Sequence, residues 1–135
     1  MNKKEEDLQR KMIEFQFLEN NLKMLQEKAE ANNDRLEELQ KTKAAIEELK
    51  NTKPNKALIP LGSGNFVYGT IDNCNEIIVG IGSDIAVKKK KEDAIALLDR
   101  RSKEVEDILK DLIRQISAFV LQLERVQQYI EKLQA

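Results

Sequence analysis

Apolar residues recur at alternating intervals of three and four along both flanks of the chain, and the pattern gives way to a different one between positions 54 and 82. In the first flank a heptad places Leu8, Phe15, Leu22, Ala29, Leu36 and Lys43 at a, and Lys11, Leu18, Leu25, Asn32, Leu39 and Ile46 at d. In the second, Leu109, Ile116, Leu123 and Ile130 at a alternate with Val105, Leu112, Phe119, Val126 and Leu133 at d without a polar interruption. The frame extends back through Leu98 and Ile95, with Ser102 its one blemish. Sustained 3.5-residue periodicity of this kind predicts helices that bury a seam against a partner helix.

End signals agree with that reading. Asn2 followed by Glu5 offers a capping box; Lys50, Asn51 and Pro54 offer a cationic last turn and a stop; Glu92 and Asp93 fall in the first turn of the second helix, where its dipole favours them. Each flank holds about 45 residues, roughly 65 to 70 Å of helix. Equal lengths predict an antiparallel helical hairpin whose two seams face each other. Asn32 and the small Ala29 can loosen the seam midway, or the asparagine can fix its register.

Between the helices the period changes to that of strands. All five glycines and both prolines lie between 54 and 82. Leu58–Leu61, Phe66–Ile71, Glu76–Ile81 and Asp84–Lys88 are short β-prone runs separated by Gly-Ser-Gly, Asp-Asn-Cys-Asn and Gly-Ser, which predicts two β-hairpins, with Pro60 marking an edge strand or a late start. The expected organisation is a single subunit: an N-terminal coiled-coil helix over 1–51, a β-hairpin assembly region over 54–90 and a C-terminal coiled-coil helix over 91–135. The fold class is mainly α with a small β insert. Two isolated hairpins bury too little to stand alone in water. Leu58, Ile59, Phe66, Val67, Ile77, Val79, Ile85 and Val87 are therefore the expected assembly residues, joining hairpins of several subunits into a β platform.

Composition narrows the chemistry. Lys and Arg total 23 against 24 Asp and Glu, a net charge of −1, so no global basic field is available to hold a nucleic acid. A charged fraction of 35% with 4% aromatic residues suits long, solvated helices. Histidine is absent, which removes the commonest general base and metal ligand. The lone Cys74 has no partner for an intrachain disulfide and no basic neighbour to activate it, and reads as a bystander at a turn. The N-terminal MNKKEEDLQRKM lacks the apolar core of a signal peptide and no membrane-length apolar run follows, so a cytoplasmic protein is expected.

The glycine-rich stretch ALIPLGSGNFVYGTI invites comparison with phosphate-binding loops. It lacks the lysine of a P-loop, and Val67 stands where the third glycine of a dinucleotide fingerprint belongs. Ser63, Gly64 and Asn65 read instead as turn residues tolerant of positive φ. Asp72, Glu76 and Asp84 are turn acids without a catalytic partner at motif spacing. The basic run Lys88–Lys91, extended by Arg100, Arg101 and Lys103, lacks interleaved aromatics and reads first as a solvated strand-to-helix junction, with a polyanion patch as the rival. No catalytic, cofactor-binding or metal-ligating residue is expected, and the protein is not expected to be an enzyme.

Several large apolar residues fall off the seam: Ile13 at f, Phe17 and Met24 at c, Met12 at e, and in the second helix Leu121 at f beside Val120 at e. An antiparallel pairing brings positions near 20 beside positions near 121. These six are candidates for binding exposed hydrophobic segments of other proteins; a broadened seam or a contact with a neighbouring subunit accounts for them equally well. Leu97 at c lies close enough to the insert to pack on its strands.

The order helix, two hairpins, helix, with the segment LIPLGSGNFVYGTIDNCNEIIVGIGSDIAVKKKKEDAIALLDRR, resembles prefoldin, specifically its alpha class; the beta class has a single hairpin. The resemblance covers essentially the whole chain and is most specific from Leu58 to Asp99. It implies an ATP-independent chaperone hexamer in which two alpha and four beta subunits join their strands into a platform. Coiled coils hang from that platform, and their tips hold non-native proteins for a group II chaperonin. Two other readings stand beside it: a structural homo-oligomer or filament of the same fold, and a coiled-coil nucleic-acid adaptor working through Lys88–Lys91.

Overall fold

A computed structural model describes residues 2–51 and 55–135. The element order is α1 (Lys3–Glu48), β1 (Lys56–Gly62), β2 (Asn65–Thr70), β3 (Glu76–Gly82), β4 (Ile85–Lys90) and α2 (Lys91–Gln134). Helix α1 starts where its cap predicts: the Asn2 side-chain oxygen accepts from the Glu5 amide at 2.8 Å, and the Asn2 carbonyl accepts from the Glu6 amide at 3.1 Å. Its end differs. The helix stops at Glu48 with no basic residue in its last turn, so Lys50 lies just past it, and Pro54 lies outside the described residues. The missing cation comes from the other helix: Lys91, the first residue of α2, donates through Nζ to the Leu49 carbonyl and meets the negative end of the α1 dipole. Glu92 and Asp93 occupy the first turn of α2 as expected.

The chain falls into two compact units, Met1–Leu36 with Glu104–Ala135, and Glu37–Lys103. In the first, α1 and α2 run antiparallel, with Lys11 Nζ standing 5.1 Å from the centre of the Tyr129 ring and Lys11 and Glu14 sharing a cleft with Gln122, Arg125 and Val126. Leu18, Val105, Leu109, Leu112 and Val126, all a or d positions, form the buried seam. Two polar seam positions behave differently from each other. Lys11 lays its cation on the Tyr129 ring while bonding Glu14 at 3.1 Å. Asn32 turns back on its own helix, donating to the Lys28 carbonyl at 2.8 Å. A bond made inside one helix by Asn32 Nδ2 gives no register information across the seam.

In the second unit the helix ends meet again, through Lys91 with Leu49 and Lys43 with Asp99. Ile46, Ala94 and Leu98 are buried there. Two antiparallel hairpins follow from the expected runs, with shifted bounds. β1 pairs with β2 in the register Leu58 to Tyr68, Ile59 to Val67 and Pro60 to Phe66. β3 pairs with β4 as Ile78 to Lys88, Val79 to Val87 and Gly80 to Ala86. Pro60 sits inside β1, and its missing N–H is tolerated because every strand of a two-stranded sheet is an edge. Asp84 belongs to the second turn rather than to β4, at φ 59°. The first turn is made by Ser63 and Gly64 at φ 51° and 79°, matching Ser83 and Asp84 in the second, while Asn65 already begins β2.

The two hairpins are copies of one unit set twenty positions apart. Gly62-Ser63 corresponds to Gly82-Ser83, Ile59 to Val79 and Val67 to Val87; each hairpin shifts register at the same place, between Pro60 and Gly62 and between Gly80 and Gly82. Each is closed by the same bond, from the Ile71 amide to the Asn55 carbonyl and from the Lys91 amide to the Asn75 carbonyl, both 2.8 Å.

Lys43 shows how a cation is accommodated in a seam. Its Nζ lies 2.7 Å from Asp99 and 3.8 Å from Glu47. The hydrogen bond to Asp99 does most to raise its pKa above the ordinary 10.5; the charges of Asp99 and Glu47 add to this, and desolvation opposes it. A raised lysine pKa stabilises the folded state fully below the unfolded value and loses that contribution as pH climbs through the folded one. Lys43→Met is therefore expected to flatten the alkaline fall of melting temperature above pH ~10, followed by circular dichroism. An unchanged alkaline limb would assign the fall to other lysines.

Candidate binding surfaces

The six off-seam candidates, Met12, Ile13, Phe17, Met24, Val120 and Leu121, all lie in the first unit, while Leu97 lies half-buried in the second. Ile13 is 69% exposed, Phe17 64% and Leu121 49%, with Met12, Met24 and Val120 exposed as well. The cause is in the sequence. The apolar residues of α1 are spread around the helix, whereas those of α2 are concentrated on one face, so α1 cannot bury all of its own in one seam. Ile108 and Ile113 are also exposed and were not among the expected residues. They hold g and e positions, which pass for seam flanks on a wheel; a large β-branched residue at such a position was the available signal.

The second unit carries the hairpin residues. Leu58, Ile59, Phe66, Val67 and Ile85 are exposed, while Ile77, Val79 and Val87 are half-buried. Missing from the expected set were Leu61, Ile81, Tyr68 at 87% exposure and Ile78 at 73%. Strand alternation explains the omission: Ile78 sits on the face opposite Ile77 and Val79, beside Lys88 and Lys90. In the first hairpin both faces are apolar, Leu58 and Pro60 opposite Tyr68 and Phe66 on one, Ile59 opposite Val67 on the other. Gly69 makes room for this, since a Cβ there would stand 2.5 Å from Ile59 Cδ1.

The remaining groups hold structure. Cys74 is 2% exposed; its amide donates to Asn51 Oδ1 at 3.1 Å and its Sγ accepts from Asn55 Nδ2 at 3.2 Å. That burial makes it a packed joint between the hairpins, more than a bystander. Asn51, Asn55, Thr70, Asp72, Asn73 and Asn75 line a cleft of about 300 Å³ beside it. Its amides bond one another, Asn51 Nδ2 to Asn75 Oδ1 at 2.8 Å among them. Glu76 pairs with Lys88 at 3.5 Å. Gly62–Asn65 turns one strand into the next, without the helix N-terminus that a phosphate cradle requires. Among the described residues no helix is long and apolar enough to cross a membrane.

Comparison with known proteins agrees with this architecture. The chain matches the family model described as prefoldin subunit over residues 18–135. It is 37% identical over 106 residues to the prefoldin subunit alpha of Thermococcus onnurineus, covering 77% of this chain and 72% of that protein. To the prefoldin subunit alpha of Methanobrevibacter smithii it is 30% identical over 131 residues, covering 84% of this chain and 90% of that one. A chain from the cryo-EM structure of filamentous PFD from Methanocaldococcus jannaschii shares its fold, with a TM-score of 0.71 at 16% identity over 84% of this chain and 95% of that chain. With its two hairpins set between long helices and its likeness to these alpha subunits, the chain belongs to the prefoldin family of non-enzymatic chaperone subunits.

Proposed function

We propose that this chain is an alpha-class subunit of an ATP-independent chaperone that captures non-native proteins on its helical arms and passes them to a group II chaperonin. The observation that carries the reading is the set of large apolar side chains left uncovered off the seam of the first unit, Ile13, Phe17 and Leu121 foremost. A folded client offers them nothing to bury; an unfolded one does, at roughly 1.5 to 3 kcal/mol for each side chain fully buried. Several arms on one client multiply weak contacts into retention. The hairpins are the assembly end in this reading, pairing with beta-class subunits in a cytoplasmic hexamer of two alpha and four beta chains.

The test is to mix the chain with a beta-class prefoldin subunit and measure mass by light scattering and aggregation of a denatured protein without nucleotide. A hexamer that suppresses aggregation is expected. A chain that ignores the beta-class subunit and elongates alone would favour the second reading, a filament of the same fold, as the Methanocaldococcus jannaschii protein of like fold is filamentous.

A further inference from the structure

Helix α1 carries a second stripe on the side away from its seam. Ile13, Phe17, Asn20 and Met24 follow one another at steps of four, three and four, the spacing of a coiled-coil contact. They hold f and c positions of the inner heptad, on the far side of the helix from the buried Leu18, and all four are exposed. At the same spacing the stripe runs on through Arg10 and Lys3 in one direction and Glu27 and Asp34 in the other, with Glu6 and Ala31 between them, all exposed. Arg10, Lys3, Glu27 and Asp34 make no ion pair among the described residues.

The stripe is complementary to itself when a second copy is laid on it antiparallel, centred between Leu18 and Glu19. Its central layers then set Ile13 against Met24 and Phe17 against Asn20, each twice. The charged layers set Arg10 against Glu27 and Lys3 against Asp34, again twice each, while Glu6 meets Ala31. Beside the stripe Asp7 faces Lys28, and the other flanking charges face neutral groups: Glu14 meets Asn21, Lys23 meets Gln16 and Glu30 meets Gln9. No like-charge pair arises. A parallel pairing would stack Arg10 on Arg10 and Glu27 on Glu27, a costly juxtaposition, so the charges select one orientation.

We propose that the outer face of α1 is an interface with a second copy of this chain in this antiparallel register, separate from the hairpins. An unfolded segment accounts for the apolar centre alone; the mirrored charges on either side of it are what a second copy accounts for. Three large apolar side chains from each copy make a small core, so the pair is weak between free chains and screened by salt. The pairing does not depend on client capture, but on the client role proposed above the two compete for Ile13, Phe17 and Met24.

Cross-linking tests the register. The native thiol, Cys74, is buried, so an introduced cysteine is the accessible one. Ile13→Cys and Met24→Cys chains, mixed at ~100 μM and ~50 mM salt under air, are expected to give a reducible dimer of the two. Each chain alone is expected to stay uncross-linked, because like positions lie about 16 Å apart along the pair, beyond disulfide reach. Absence of the mixed dimer, or equal cross-linking of either chain with itself, overturns the proposal.

Charge reversal reads the same contact without cysteine. Arg10→Glu and Glu27→Arg are each expected to abolish wild-type pairing in sedimentation while staying helical by circular dichroism. Mixing the two single variants is expected to restore it, as is combining both changes in one chain, and ~500 mM salt to remove it in every case. Sedimentation indifferent to all of these changes is equally fatal. A chain that suppresses aggregation yet fails both tests overturns the pairing and leaves client capture standing; a chain that passes both but suppresses nothing supports the pairing and removes client capture.

Discussion

Replacing Ile13, Phe17 and Leu121 together by serine is expected to raise the chaperone-to-client ratio needed for half-suppression of aggregation at least tenfold. All three side chains are largely open to water and lie off the buried seam of Leu18, Leu109, Leu112 and Val126. Removing exposed apolar groups changes folding stability by about 0.5 kcal/mol or less each, so helicity and assembly should persist. The cost falls on client binding. Even half-burial of each on a client is worth about 1 kcal/mol, and every 1.4 kcal/mol is tenfold in affinity. Several arms sharing one client compound that loss. Light scattering of a denatured protein, beside circular dichroism and mass, checks the result. Undiminished suppression by a folded, assembled triple variant would sink client capture at these residues and leave them as contacts with a neighbouring subunit.

Leu58→Ser with Val67→Ser is expected to have the opposite signature, with helices intact and assembly lost. Leu58 and Val67 stand on opposite faces of the first hairpin, so the pair spoils both. That hairpin has two apolar faces, and among the described residues its strands pair only with each other. A two-stranded ribbon in water is marginal by itself. On the proposed assembly role, the surface that covers it supplies its order. Loss of two such contacts costs about 3 to 6 kcal/mol if both are fully buried in the assembly, enough to shift the chain toward its 15.5 kDa monomer at micromolar concentration. Sedimentation with and without a beta-class subunit reads this. An unaltered mass would move the assembly surface away from the first hairpin.

How far the sequence foretold this architecture depends on the kind of interaction. The seam of α2 was legible because its apolar residues repeat without interruption and lie on one face. Polar seam positions were legible only as blemishes: nothing in a heptad says that Lys43 will reach Asp99 or that Lys11 will cover Tyr129, since long side chains find partners off their own rung. The stop of α1 was misplaced for a related reason, its cation coming from Lys91, distant in sequence. Glycine and serine announced both hairpin turns. The repeat went unseen because identity survives at few places, chiefly Asn55 and Asn75, the Gly-Ser pairs and Val67 and Val87; bulge and closing bond are carried by backbone and leave no residue signature. At the surfaces, off-seam position identified Ile13 and Phe17, yet alternation had to be seen in place before Ile78 and Tyr68 joined the exposed set.

The common closing bond of the two hairpins, Asn55 with Ile71 and Asn75 with Lys91, also sets how this family of shapes can change over generations. Because each copy begins and ends on the same backbone contact, gain or loss of one period inserts or removes a whole hairpin and leaves the turn geometry of the other intact. A deletion of intermediate length would break a ladder, whereas removal of a whole twenty-residue period would leave one complete hairpin with its closing bond. The difference in charge between the two otherwise equivalent copies is confined to side chains, Tyr68, Gly69 and Thr70 on β2 against Lys88, Lys89 and Lys90 on β4, so it can change by point substitution without touching the shared backbone pattern.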